Sequence, residues 1–221
     1  MAHTFVNKAN ALALIHTDCS YAFDCGTASL LVVGIVADYG PRITTAPTFN
    51  GIALTLAAQA SLGSGGAANG AELWYLVNPP LGSYTLLVPN SGTGATSTIR
   101  VVSSSYLASS GKISTYEAYV TRTGTGTTIS DSITTIGSGC VIVDILKHDT
   151  QTALETSYNQ TLLYHFGETS TNWNDSHMYA LQTSAGAITF THVEPTSQDW
   201  VHLMVAFSEA VPNSGIIFIG G

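Results

Sequence analysis

Apolar and polar positions along this chain follow the patterns of β-strands. Residues 29–38 (SLLVVGIVAD) form a near-continuous apolar run, which is typical of a strand buried on both faces. In residues 83–88 (SYTLLV) apolar side chains recur at every second position, so Tyr84, Leu86 and Val88 share one face. Helical periodicity is not sustained anywhere, although residues 53–61 could form a short helical turn. The pattern predicts an all-β protein.

Turn-forming residues separate these strands. Pro79-Pro80-Leu81-Gly82 divides residues 72–78 from residues 83–88, because prolines supply no ladder N–H groups and glycine tolerates a positive φ. Residues 123–128 (TGTGTT) are expected to form a flexible loop. Further strands are predicted at residues 98–104, 116–121, 139–147, 158–166, 177–181, 188–193, 200–207 and 215–219.

The two halves of the chain resemble each other weakly but in the same order. Four segments of the first half match four of the second: 30–38 with 140–148, 47–55 with 156–164, 73–88 with 177–192, and 100–104 with 204–208. This indicates an internal repeat of about residues 1–110 and 111–221. We expect one antiparallel β-sandwich domain over residues 1–221, jelly-roll-like and built from two pseudo-duplicated halves, while two tandem sandwiches would also fit.

Composition narrows the possible functions. Only 9% of the 221 residues are charged, whereas Ser and Thr number 52. The net charge is −8, and residues 123–221 carry all of it, with one lysine against nine acidic residues. This excludes a basic nucleic-acid footprint. No apolar run approaches the roughly 18 residues of a membrane span, so we expect neither nucleic acid nor membrane as a partner.

The N-terminus and the cysteines suggest assembly inside a cell. The apolar patch at residues 11–15 is too short for a secretory signal, so we expect a mature protein that assembles into a virion in the cytoplasm of its host. Cys19 and Cys25 could close a small loop, but the odd count, with Cys140, favours reduced thiols.

Candidate catalytic and metal-binding residues are few and scattered. His165, Asp175 and His177 have the residue types of a metal site, but histidines within strands are more often core residues, as expected for His192 and His202. Glycoside hydrolysis needs two carboxylates, whereas Glu72 and Asp144 each stand alone on a predicted strand. Phosphate-loop, dinucleotide and nucleophile-elbow motifs are missing from the sequence. We therefore expect no catalytic residue, no metal and no cofactor.

Two segments could contact partners. Trp173 stands in a polar stretch with Asn172, Asn174 and Asp175, and an aromatic ring flanked by amide and carboxylate groups could bind a glycan. The C-terminus has four consecutive large apolar residues, which we expect to form a sandwich strand or an arm paired with a neighbouring subunit. These residues are Ile216, Ile217, Phe218 and Ile219.

One segment carries a family resemblance. Residues 71–88 (AELWYLVNPPLGSYTLLV) resemble a W-Y-L-x-N-P-P-x-G-x-Y-T pattern of β-sandwich structural proteins of tailed bacteriophages and some bacterial surface proteins. Residues 30–38, 47–51 and 199–207 are similar to other strands of that family. The resemblance implies a structural or adhesive module without catalytic residues.

These observations lead to one expected function and one alternative. The expected function is a structural component of a bacteriophage virion, most simply a capsid decoration (cement) protein that stabilises the shell through inter-subunit contacts. Its partners would be the major capsid protein or tail proteins, with homo-oligomers in the assembled particle. The alternative is a carbohydrate-binding, adhesin-like module of a tail or cell surface.

Overall fold

The computed structural model describes residues 3–13, 17–38, 45–62, 69–90, 98–110, 112–148, 157–167 and 174–210. Within these residues the regular structure is entirely β. The strands are β1 (Thr4–Ala13), β2 (Cys19–Asp24), β3 (Leu30–Asp38), β4 (Thr48–Phe49), β5 (Ile52–Ala53), β6 (Thr55–Leu62), β7 (Asn69–Val77), β8 (Ser83–Val88), β9 (Thr98–Leu107), β10 (Ile113–Thr135), β11 (Cys140–His148), β12 (Ser157–Tyr158), β13 (Thr161–Gly167), β14 (Asn174–Gln182) and β15 (Gly186–Ala210).

The strands form three antiparallel sheets. The first central sheet has the order β1-β9-β3-β7-β6, and the second central sheet has the order β10-β15-β11-β14-β13, with β12 paired to β15 beside this path. A smaller outer sheet has the order β2-β8-β4-β5. The predicted all-β class and antiparallel sandwich are confirmed, whereas the jelly-roll arrangement stays a prediction.

The long strands β10 and β15 belong to two layers. They pair from residue 113 to residue 126, and again from residue 128 to residue 135, where β15 contributes residues 186–193. Gly126 of β10 pairs with Gln198 and Thr128 pairs with Val193, so residues 194–197 of β15 lie between the two paired stretches. We call residues 128–135 with 186–193 the folded-over lobe. It lies against the second central sheet, because the rings of His192 and His202 are 4.9 Å apart, although ten residues of straight strand would span about 33 Å.

Three apolar clusters hold the layers together. Leu31, Val33 and Phe49 belong to the cluster between the outer sheet and the first central sheet. Strands of the two central sheets contribute to a shared middle cluster. A third cluster joins the second central sheet to the folded-over lobe and includes Ile142 and Phe190. The molecule is thus a stack of four layers, with a continuous apolar interface between its two halves.

Some sequence predictions were wrong. Residues 123–128 are not a flexible loop, because they lie within β10 and most of them pair with β15. Residues 194–199 do not separate two strands, since β15 runs through them. Residues 55–62 form strand β6, where a short helical turn was possible. The strand predicted at residues 215–219 lies outside the described residues.

The two halves place corresponding strands in corresponding positions. When the five strands of each central sheet are ranked by their order in the chain, both sheets show the same order of ranks in space. In this comparison β3 matches β11, and β9 matches the last part of β15. The outer sheet matches the folded-over lobe, because β2 pairs with β8 as residues 128–135 pair with 186–193. This topology is what an internal repeat would produce, and the duplication itself stays a prediction.

Candidate functional site

A cluster of titratable side chains lies between the second central sheet and the folded-over lobe. Asp144 comes from β11, while His192 and His202 come from the two parts of β15. Asp131 of β10 stands behind His202. The bend of the β10–β15 ribbon brings these residues together, since it turns both histidines of one strand towards the same carboxylate. We call these four residues the Asp144 cluster.

The geometry of the Asp144 cluster is convergent. His192 Nε2 lies 2.9 Å from Asp144 Oδ2, and His202 Nε2 lies 3.4 Å from the same oxygen. His202 Nδ1 donates a hydrogen bond to Asp131 Oδ2 at 2.8 Å. Asp144, His192 and His202 are fully or almost fully buried, and Asp144 Oδ1 has no hydrogen-bond partner.

The two imidazoles control the charge of Asp144. Burial alone would raise the pKa of this carboxyl, because a low-dielectric interior disfavours the charged form. Hydrogen bonds and charges from His192 and His202 outweigh burial and hold the pKa below its usual range. The Asp144 carboxylate is therefore ionised and needs positive charge beside it.

A second polar cluster crosses the interface between the two halves. Arg100 of β9 donates a hydrogen bond to Asp175 Oδ1 of β14 at 2.7 Å, and His177 Nε2 donates to Asp175 Oδ2 at 3.1 Å. The Arg100 guanidinium also lies 5.2 Å from the ring centre of Phe166. Burial would raise the pKa of Asp175, but the partners His177 and Arg100 keep it below its usual range.

A glycine makes room for this second cluster. A Cβ atom added to Gly34 of β3 would lie 2.7 Å from His177 Nδ1 and 2.8 Å from Ile145 Cδ1. Real side chains do not approach so closely, so only glycine lets β3 and β14 pack at this distance.

A third cluster lies at the bend of β15. Gln198 Nε2 is 2.8 Å from His148 Nδ1 and 3.0 Å from Glu194 Oε2, and His148 Nε2 is 3.2 Å from Glu194 Oε1. All three residues are buried. These contacts hold the ends of residues 194–198, where β15 leaves one layer for the other.

Of the four predicted glycan-binding residues, two are buried and two lie outside the described residues. Asn174 and Asp175 lie in β14 and are buried, and the Asp175 carboxylate is occupied by Arg100 and His177. Neither side chain faces solvent as a sugar contact would. Asn172 and Trp173 lie outside the described residues, as do Ile216, Ile217, Phe218 and Ile219 of the predicted subunit interface.

Sequence reasoning missed the convergence of Asp144 with the two histidines. Asp144 was interpreted as an isolated acid, and His192 and His202 as separate core residues. Each offers one ligand atom, and these three atoms lie within 4.8 Å of one another, so the trio could hold a metal ion. The sequence contained one indication of this site, because the repeat aligns His192 with the apolar Val88 of the first half.

The cysteines do not add to these clusters as reactive groups. Cys19, Cys25 and Cys140 are all buried and all free thiols. Burial raises the pKa of Cys19 and of Cys140 to about 11, and that of Cys25 to about 12. They are therefore protonated near neutral pH and chemically inert in the folded protein.

Comparison with known proteins adds no identity. No protein-family model matches the chain, and no curated protein matches it. In the part of the chain that the structure describes, no helix has the length and apolar character needed to cross a membrane.

Proposed function

We propose that this chain is a structural component of a bacteriophage virion, most simply a capsid decoration protein. The supporting observation is that three of its charged side chains are buried and contact partners inside the molecule. Arg100, Asp144 and Asp175 are buried and engaged with partners inside the molecule, where they join layers to one another. A protein that works by rigidity and contact, without turnover, uses its ions in this way.

The four-layer stack supports the same proposal. The middle apolar cluster joins the two halves over both central sheets, and the Arg100–Asp175 ion pair crosses the same interface. Breaking such a buried pair by removing one partner costs about 3–5 kcal/mol. The halves are thereby fixed to each other, as a module that spans neighbouring shell subunits requires.

The proposed contact with other subunits is the apolar C-terminal segment that contains Ile216, Ile217, Phe218 and Ile219. A segment of this composition can add as a strand to the sheet edge of another subunit through main-chain hydrogen bonds. In the particle it would contact the major capsid protein, a tail protein or another copy of the chain.

The deciding experiment is quantitative mass spectrometry of density-banded particles from the source lysate. We expect the chain to co-band at hundreds of copies per particle. A few to a few tens of copies would instead assign it to the tail or a fibre. A chain that stays at the top of the gradient would contradict the virion proposal and favour the glycan-binding alternative, with Trp173 as the first residue to substitute.

A matched pair of variants tests the contact segment. Replacing Ile216, Ile217, Phe218 and Ile219 together by serine should abolish co-banding, because the apolar contact segment is lost. Ile136→Ser is the control, since Ile136 is 86% exposed in the turn between β10 and β11. Equal co-banding of both variants would show that the C-terminal segment is not the contact.

A further inference from the structure

We propose that Asp144, His192 and His202 form a buried binding site for a single divalent transition-metal ion of the zinc type. The site would join the second central sheet to the folded-over lobe. It is independent of the virion proposal, because it follows only from the geometry of the Asp144 cluster.

The lone pairs of the ligand atoms converge when the imidazoles are neutral. His202 Nδ1 donates to Asp131 at 2.8 Å, so in the neutral ring Nε2 carries a lone pair, which points towards Asp144 Oδ2, 3.4 Å away. Two acceptor atoms at that distance repel each other unless a proton or a metal ion lies between them. A histidine that binds metal through one nitrogen while the other donates to a carboxylate is the usual arrangement in protein metal sites.

The distances from Asp144 Oδ2 to the two imidazole nitrogens suit a tetrahedral metal site. In a tetrahedral zinc site with bonds of about 2.0–2.1 Å, neighbouring ligand atoms are about 3.3 Å apart. The distances from Asp144 Oδ2 to the two Nε2 atoms, 2.9 Å and 3.4 Å, lie on either side of this value. Asp144 Oδ1, which is buried and has no hydrogen-bond partner, supplies a further oxygen beside the ion.

Charge also favours a cation beside Asp144. Asp175 is paired with the permanent positive charge of Arg100 at 2.7 Å, whereas Asp144 faces two imidazoles, which carry charge only when protonated. With both imidazoles neutral, the carboxylates of Asp131 and Asp144 carry a charge of −2, of which the exposed Arg122, 3.7 Å from Asp131, offsets a part. A divalent ion between the ligands supplies the positive charge that the buried Asp144 then needs.

The first half of the molecule builds the corresponding place from apolar residues. Ile35 pairs with Val101 in β9 as Asp144 pairs with Met204 in β15, and Ile99 and His202 lie two residues before these partners. Val88 corresponds to His192, since each follows a buried residue, Leu86 or Phe190, by two positions on its strand. Ile35, Val88 and Ile99 all belong to the apolar core. The fold therefore does not require titratable residues here.

The test is zinc binding to the full-length chain. Because the ligands are buried, the protein is unfolded in the presence of a chelator, refolded with or without Zn²⁺, and desalted. Metal content and competition with a chromophoric chelator then give stoichiometry and affinity. We expect one Zn²⁺ per wild-type chain, and a raised melting temperature in the zinc-loaded protein. Cobalt refolded into the same site should give the visible absorption of tetrahedral Co²⁺.

The variants separate binding from folding. His192→Gln and His202→Gln should lose the bound ion, and Asp131→Asn should weaken binding by about 10- to 100-fold through the orientation of His202. His177→Gln is the matched control, because His177 is an equally buried histidine beside a buried aspartate. The triple variant Asp144→Ile/His192→Val/His202→Ile copies the first half and should fold without binding zinc.

Three results would overturn the proposal. The first is a wild-type chain that refolds without retaining Zn²⁺, in which case protons on the imidazoles balance the carboxylates. The second is loss of the ion from His177→Gln to the same extent as from His202→Gln. The third is retention of one Zn²⁺ by the triple variant.

Discussion

At the scale of single residues, the buried charges of Arg100, Asp144 and Asp175 each meet a partner that the strand register fixes. Arg100 and Asp175 come from different halves and meet at 2.7 Å, while Asp144 meets two histidines of one bent strand. Burial opposes ionisation at both aspartates, and the partners reverse its effect on the pKa. Each pair therefore also specifies which strands lie opposite each other.

Gly34 gives a residue-scale prediction. Gly34→Ala should lower the free energy of unfolding by about 1–3 kcal/mol, because the added methyl group would overlap His177 and Ile145 across the interface between the halves. Urea denaturation measures the change.

Gly70→Ala is its control, since a Cβ there would meet the Ala60 carbonyl oxygen at an ordinary 3.4 Å. That substitution should change the stability little, or raise it by restricting the unfolded chain. Equal losses in the two variants would contradict the close-approach role of Gly34.

At the scale of elements, the sequence predicted where strands run better than where they bend. Residues 83–88 are β8 as predicted, because alternation and the preceding prolines define both its face and its start. β15 was divided into two strands, since residues 194–199 are polar and interrupt the apolar pattern. That interruption marks a bend within one strand, since β10 pairs with β15 on both sides of residues 194–197. Side-chain periodicity does not show that both flanking segments pair with the same neighbouring strand.

The candidate site could not be predicted for the same reason, because side-chain patterns do not show where a strand bends. Asp144, His192 and His202 are each visible as polar residues in apolar strands, but their meeting depends on the bend of β15.

The faces on which side chains lie also correct the repeat alignment at β3 and β11. Ile35 and Asp144 both point into a sandwich interior, so these two residues correspond. This shifts the sequence alignment of residues 30–38 by one position. The shift matters because moving a strand by one residue exchanges its two faces.

Hydrogen exchange tests the element that the sequence misassigned. Amides of residues 123–126 should exchange slowly, as strand amides do, because these residues pair with β15. Peptide-resolved hydrogen-exchange mass spectrometry compares them with residues 118–122 of the same strand. Exchange at the rate of an unstructured peptide would mean that a loop divides β10.

At the scale of the whole molecule, the middle apolar cluster makes the two halves depend on each other. Leu73 and Tyr106 of the first half and Val143 and Phe207 of the second belong to this one cluster and are almost completely buried. Separating the halves would expose all of this surface, at about 25 cal/mol for each Å² of apolar area. Neither half has its complete core without the other.

We therefore predict a single cooperative unfolding transition for the full chain. Differential scanning calorimetry should give one peak with equal calorimetric and van't Hoff enthalpies. Two resolved transitions would show instead that the halves behave as tandem sandwiches, the arrangement that the sequence left open.

The bent β10–β15 ribbon gives the two halves different mechanical properties. In the second half the same two strands, β10 and β15, run through both layers and pair on each side of the bend, so separating the layers requires the two strands to straighten together. In the first half separate strands build the two layers, and turns such as the one between β7 and β8 connect them. Under load the first half can hinge at such turns, whereas the second half must bend a paired ribbon.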